Sequence, residues 1–195
     1  MNFQSYSQAG QDQFAHAVIG DGPGTFLDIG MNHPIDKNNT IGLERIGWRG
    51  LLIEMDDYCC DTLFPKSGRT SPLVKGDATK IDYAAELERH GLPTHIDYLS
   101  LDVDAASLDV LRSIPLDRVS FGVITIEHDA YRNGDKLREP MRQILIASGY
   151  MLIAIDVCDQ GQRFEDWAVA PRYWQQARRF ASASLDWRDV LAQGK

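Results

Sequence analysis

A chain of 195 residues, 44% hydrophobic and 25% charged, can build one globular domain with a proper core, and no run in it reaches the ~20 apolar residues needed to cross a bilayer. A net charge of −8 and an isoelectric point near 5.0 repel nucleic acids and anionic membranes at long range, which argues against general binding to either. The three cysteines (Cys59, Cys60, Cys158) are an odd count without metal-ligand spacing, and the polar opening MNFQSYSQAGQDQF lacks the regions of a secretory leader, which together suggest a cytoplasmic protein with reduced thiols.

The first element signal is TFLDIG (25–30), an apolar run ending in an acid and a glycine, which reads as a buried parallel strand. A crossover helix fits 40–46, and GLLIE (50–54) reads as the second strand. Then follow a helix over 57–64, a strand PLVKG (72–76), a helix over 83–90 and a strand IDYLSLDV (96–103). A helix over 107–114, a strand VSFGVITIE (119–127) and a helix over 137–148 closed by Gly149 continue the alternation. The last strands are YMLIAIDV (150–157) and RFEDWAVA (163–170). Only five residues separate them, too few for a parallel crossover, so they pair antiparallel. The tail, 171–195, carries Tyr173, Trp174, Arg178, Arg179, Phe180 and Trp187 and is expected to be an amphipathic helical segment packed on the sheet or on another subunit. The expected fold is one α/β domain over 1–195: a Rossmann-like, doubly wound, mostly parallel seven-stranded sheet with a C-terminal antiparallel hairpin.

A strand, a turn, a helix and a second strand ending in an acid form the nucleotide-binding half of such a sheet, with Glu54 placed to accept ribose hydroxyls. The turn reads Gly30-Met31-Asn32-His33-Pro34, without the later glycines that bring backbone close to a pyrophosphate, and no GxxxxGK[ST] loop is present. An adenosine ligand without phosphates fits better than NAD or ATP, and S-adenosylmethionine is the commonest. The closing antiparallel hairpin points the same way, to methyl transfer, and Asn32 with Pro34 argues against an NAD(P)-dependent oxidoreductase.

Several motifs in order carry a family resemblance: SQAGQD (7–12), Asp28-Ile29-Gly30-Met31-Asn32, Asn38-Asn39-Thr40, GWRGLLIEM (47–55), LSLDVDAAS (99–107) and ITIEH (124–128). Over 7–157 the chain resembles the FkbM-type S-adenosylmethionine-dependent methyltransferases. It departs from them at His33 and Pro34 and in Asp104-Ala105-Ala106-Ser107, where a glycine and a final acid are lost. The resemblance implies the methyltransferase fold, S-adenosyl-L-methionine as cofactor, and Gln8, Gln11 and Asp12 at the cofactor entrance.

The expected cofactor residues are Asp28, Gly30 and Asn32 in the first turn, Glu54 on the ribose, Asp77 on the adenine amino group and Asp102 on the methionine ammonium. A turn-forming role for Asp77 is equally open. Glu127, His128 and Asp104 are the expected catalytic residues, at the tips of the fourth and fifth strands. Two mechanisms compete: His128 as general base, or a Mg²⁺ ion held by Asp102, Asp104 and Glu127. The expected acceptor is the hydroxyl of a small molecule or sugar; a homo-oligomer is compatible with the tail. The alternative is a protein that keeps the cofactor fold but serves as a binding or assembly partner, which the altered 104–107 segment motivates. His16, His90 and His95 lack metal spacing and read as structural.

Overall fold

In the computed structural model, which describes residues 3–194, the apolar runs become the strands of one sheet. Strands β1 (Thr25–Ile29), β2 (Arg49–Glu54), β3 (Leu73–Lys75), β4 (His95–Leu101) and β5 (Ser120–Glu127) are parallel, in the order β3-β2-β1-β4-β5. Strand β7 (Gln162–Val169) pairs antiparallel with both β5 and β6 (Met151–Asp159), which makes the hairpin expected from the short connection. An eighth strand, β8 (Ser182–Ala183), adds two residues to the outer edge of β6.

Period-2 alternation divides the buried side chains between the two faces. Leu27, Leu51, Leu99, Ile124 and Ile126 face α3 (Tyr83–Arg89), α4 (Ser107–Ser113) and α6 (Asp135–Ala147) through Leu87, Leu111 and Leu145. Phe26, Leu52, Tyr98 and Trp167 face the other layer, which contains α1 (Gln11–Ile19) and α2 (Ile41–Arg45) and contributes Phe14 and Leu43. Phe14 stacks on Trp167 at 4.6 Å and meets Phe180 edge-on at 5.3 Å. Between β5 and α6 lies the short helix α5 (Ala130–Asn133).

The structure departs from the sequence expectation in three places. Residues Gln11–Ile19 form a helix on a glycine start: Gly10 takes φ 73°, and a Cβ there would overlap Leu191. Helix 57–64 is instead a π turn over Cys59–Leu63 followed by a 3₁₀ turn over Phe64–Lys66, tightened by Pro65. The tail is not one helix. It breaks into short turns, α7 (Trp174–Ala177), β8 and α8 (Trp187–Gln193), and α8 presses Trp187 and Leu191 against Gly10. All three cysteines are free and buried, and no helix among the described residues is long and apolar enough to cross a membrane.

A buried ionic knot fastens the hairpin to α6. Arg142 donates to both oxygens of Asp166 (2.7 and 2.8 Å) and to Asp156 (3.0 Å), and Arg138 donates to Asp156 at 2.7 Å. Asp156 sits at φ 53° where the β6–β7 register shifts, and its N–H donates to Asp166 Oδ1 at 2.7 Å. Burial pushes the Asp166 carboxyl upward, but Arg142 and His128 more than offset it and hold it at about 2, below the ordinary 3.8. A depressed folded value stabilises the fold above the unfolded value and loses that contribution as pH falls through it. Arg142→Met is therefore expected to cost ~3–5 kcal/mol in urea denaturation at neutral pH, because it strands buried carboxylates, and to flatten the loss of stability below about pH 4.

Candidate active site

The register sets the strand ends level with one another. Ile29 pairs with Ile53 and Leu101, Leu101 with Ile126, and Glu127 with Glu165. One row across the sheet thus reads Glu54, Gly30, Asp102, Glu127, Glu165. Above it lie two adjoining cavities of about 210 and 430 Å³, which share Gly30, Asn32 and Asp102. The smaller extends to Gln8, Asp28, His33 and Lys37, the larger to Glu54, Cys59, Asp104 and Glu127. This cleft lies at the carboxyl ends of β1 and β4, where strand order reverses.

Gly30 is the position the row cannot change. It takes φ 85°, and a Cβ there would overlap the carbonyl oxygen of Asp102. Asn32, at φ 52°, turns its N–H onto Glu54 Oε2 at 2.7 Å. Glu54 Oε1 accepts from the N–H groups of Met55 (2.7 Å) and Asp56 (2.8 Å). Three backbone donors fix this carboxylate, and Oε2 keeps a lone pair for a hydroxyl in the cleft. Asn32 thus acts through its backbone.

Asp28 lines the cleft but directs its bonds into the following loop. Its Oδ2 accepts from Thr40 Oγ1 (2.6 Å) and Asn38 Nδ2 (3.2 Å). Burial raises its pKa, and the nearby Arg69 opposes the rise. Arg69, itself buried, donates to Asn38 Oδ1 (2.9 Å) and Thr40 Oγ1 (2.8 Å) and pairs with Glu44 at 2.9 Å. Asn38 Oδ1 also accepts the N–H groups of Thr40 (3.0 Å) and Ile41 (2.9 Å), so the start of α2 has little left for a pyrophosphate. The sequence reading missed Arg69, which sits in an irregular segment with no periodic signal.

At the β4–β5 end of the row, Asp102 and Glu127 stand side by side with their carboxyls in hydrogen-bond reach. Both are raised: burial is the main cause for each, the contact between them adds to it for Glu127, and the charges of Asp104 and Asp129 add to it for Asp102. The pair retains a proton at neutral pH. Asp104 takes φ 51° at the start of a 3₁₀ turn, and its side chain is 81% exposed, 4.0 Å from Arg132. Glu165, buried beside Glu127, accepts from Trp167 Nε1 at 2.7 Å and is pushed up to about 8, chiefly by burial.

Two expectations are corrected. His128 does not face the cleft. It follows Glu127 directly, so alternation sends it to the other face, where it is 1% exposed. Its Nδ1 accepts the Ala130 N–H at 3.1 Å, which assigns the proton to Nε2, 3.4 Å from Asp166. Asp77 does not line the cleft: its Oδ1 accepts from the N–H (3.0 Å) and hydroxyl (2.7 Å) of Thr79, and Oδ2 meets Lys80 at 2.9 Å. These bonds, Lys80 first, hold its carboxyl at about 2 as a cap of the 3₁₀ turn Ala78–Lys80.

The expected Mg²⁺ trio, Asp102, Asp104 and Glu127, does not converge, because the Asp104 side chain leans out toward Arg132. Among the described residues the group with three ligand atoms within 4.8 Å of one another is His128, Asp156 and Asp166. Arg138 and Arg142 already neutralise those two carboxylates. At the entrance, Gln8 lines the cleft, while Asp12 is buried and clamps the preceding strap through Ser5 Oγ (2.6 Å), Ser7 Oγ (2.6 Å) and the Tyr6 N–H (2.8 Å). Gln11 donates to Glu165 at 3.4 Å.

No family model and no curated protein matches the chain. Solved structures do. The chain is similar to an O-methyltransferase from Bacillus cereus in complex with SAH (TM-score 0.57, 18% identity, 87% of this chain and 84% of that one). It is also similar to a putative O-methyltransferase from Klebsiella pneumoniae (TM-score 0.56, 16% identity, 86% and 82%). A third is a TehB-like SAM-dependent methyltransferase from Corynebacterium glutamicum (TM-score 0.57, 15% identity, 84% and 88%). At these identities the likeness establishes the fold: an α/β, Rossmann-like methyltransferase architecture.

The acid row has a stability signature. Glu127 keeps in the folded state a proton that the unfolded chain releases above about 4.5, so stability declines as pH rises through the neutral range. Glu127→Gln keeps the neutral shape, and is expected to remove a decline of at most about 1.4 kcal/mol per pH unit in denaturation curves taken from about pH 5 to 8.

Proposed function

We propose that this chain is an S-adenosylmethionine-dependent methyltransferase of the FkbM type, acting on a hydroxyl oxygen of a small molecule or sugar. The observation that carries the reading is the level row of Glu54, Gly30 and Asp102 under a cleft at the point of strand reversal. The motif order in the sequence and the O-methyltransferases among the structural neighbours support it.

The residues fit a nucleoside without phosphates. Glu54 has a free lone pair for a ribose hydroxyl, Gly30 clears the floor, and the start of α2 is already satisfied by Asn38. Asn32 Oδ1 and Cys59 line the side where a base would rest. Lys37 and the Nε2–H of His33 are placed for a carboxylate, since His33 Nδ1 is used by the N–H groups of Ile35 (3.1 Å) and Asp36 (2.8 Å). Asp102 takes the ammonium. When bound, the cofactor supplies an electrophilic methyl on a sulfonium.

With His128 turned away, Asp102 would also be the group placed to take the acceptor hydroxyl's proton, while the bound cofactor would supply the methyl group. Glu127 keeps its proton and fixes the Asp102 carboxylate. Alignment in a cleft of this kind is worth ~7–11 kcal/mol, more than the about 10²–10⁴-fold of a positioned base. The lack of a histidine on the acceptor wall also favours a second reading, a cofactor-binding partner without turnover. Methylation of no member of a broad hydroxyl panel would support it.

Calorimetry with S-adenosylhomocysteine tests the reading. Micromolar binding is expected, Glu54→Gln should weaken it by about tenfold or more, corresponding to one lost charge-assisted bond, and NADH should not compete. Unchanged affinity in Glu54→Gln, or tight NADH binding, overturns it.

A further inference from the structure

Gln8 is the strap residue between two clamps. Asp12 takes Ser5 Oγ, the Tyr6 N–H and Ser7 Oγ on one side of it, and Gln11 Oε1 takes the Ala9 N–H at 2.8 Å on the other. Gln8 lines the smaller cavity together with Lys37, and Ser7 forms a backbone bridge with Lys37. The strap therefore carries Gln8 and steadies Lys37 at the end of the cleft suited to a carboxylate. None of residues 5–11 lines the larger cavity, where Glu54 and Cys59 lie.

The second clamp reaches back into the sheet. Gln11 is 4% exposed, and its Nε2 donates to Oε1 of Glu165, a residue of β7 that is 2% exposed. Trp167 Nε1 donates to the other oxygen at 2.7 Å. Both ends of this chain have a fixed polarity: an indole and a backbone amide only donate, and an ionised carboxylate only accepts. Gln11 offers its oxygen to Ala9 because Glu165 takes its nitrogen. A neutral amide at position 165 would give its one oxygen to Trp167 and its NH₂ to Gln11, which would turn over and set donor against donor at Ala9. Burying an acid here is costly, and the proposed chemistry does not use it. What the acid supplies is this orientation.

We infer that Gln11 and Glu165 are positioning residues for the cofactor: through the strap they set Gln8, and with it the grip on the amino-acid end of the ligand, and they leave the nucleoside end alone. This rests on the cofactor reading above.

The test is calorimetry on the full chain with S-adenosylhomocysteine and with 5′-methylthioadenosine, which has the same nucleoside and no amino acid. Burial pushes Glu165 up to about 8, so the titrations are run at about pH 8.5, where its carboxylate is ionised. Glu165→Gln and, independently, Gln11→Met, which leaves the Glu165 charge in place, should each weaken S-adenosylhomocysteine about fivefold or more, with 5′-methylthioadenosine held within about twofold. Exchanging the pair, Gln11→Glu with Glu165→Gln, puts an acceptor opposite both Ala9 and the amide at 165, and should bring S-adenosylhomocysteine back to within about twofold of the unaltered chain. Gln8→Ala should cost affinity in the unaltered chain and little more once Gln11→Met is present, a cycle that decides the matter where the exchanged pair does not fold. Equal weakening of both ligands overturns the inference, as do unchanged affinity in the single variants, a folded exchanged pair without recovery, or additive effects of Gln8→Ala and Gln11→Met. Failure of both ligands to bind the unaltered chain removes the cofactor reading as well, whereas equal losses in the variants remove this inference alone.

Discussion

The approach of Gly30 to the carbonyl of Asp102 is the constraint on which the rest of the cleft depends. Only a residue without a Cβ, at positive φ, lets β1 turn away while its end stays packed against β4. That turn delivers the Asn32 N–H to Glu54 and locks the second strand tip to the first. It also keeps β1 and β4 level, so that Asp102 and Glu127 meet as carboxyls in contact and do not pass each other along the sheet. A bulkier residue would shift the row by pushing two strands apart, and the acids would lose their mutual register before any of them was itself altered.

Around this contact the molecule separates support from exposure. Asp28, Asn38, Thr40, Arg69 and Glu44 form a buried set that spends its hydrogen bonds on shaping the loop after β1. The knot of Arg138, Arg142, Asp156 and Asp166 does the same for the hairpin, and it takes His128 with it. The charged side chains that line the larger cavity are all acidic, whereas the smaller one also carries Lys37. Each cluster that balances its charges is structural, and the one that does not is the one facing the cavity.

The strands and their order of use were largely legible, because a parallel sheet buried on both faces writes near-continuous apolar runs and the five-residue link between the last two leaves one pairing. The strand-tip acids were legible as positions, but not all as roles. His128 reads from the sequence as a residue of the cleft, but its neighbour Glu127 occupies that face, and alternation decides against both sharing it. Asp77 was open between ligand and turn former, and the hydroxyl of Thr79 two residues on decides for the turn. Arg69 could not be read at all: nothing in an irregular segment marks the one residue whose guanidinium will be drawn inside to meet Asn38 and Glu44. The helix after Gly10 was hidden because its start is a left-handed glycine, without a capping side chain to announce it.

The same glycine ties the two extremities of the chain together. Trp187 and Leu191 of α8 rest against Gly10, at the root of the strap that carries Gln8 over the cleft and that Asp12 clamps. During synthesis, residues 7–12 therefore lack their abutment until some 180 later residues have emerged and α8 has docked. The entrance over the cleft is the last part to be finished, and a ribosome stalled ahead of α8 would hold out a domain whose sheet is paired but whose ligand-binding mouth is still ajar.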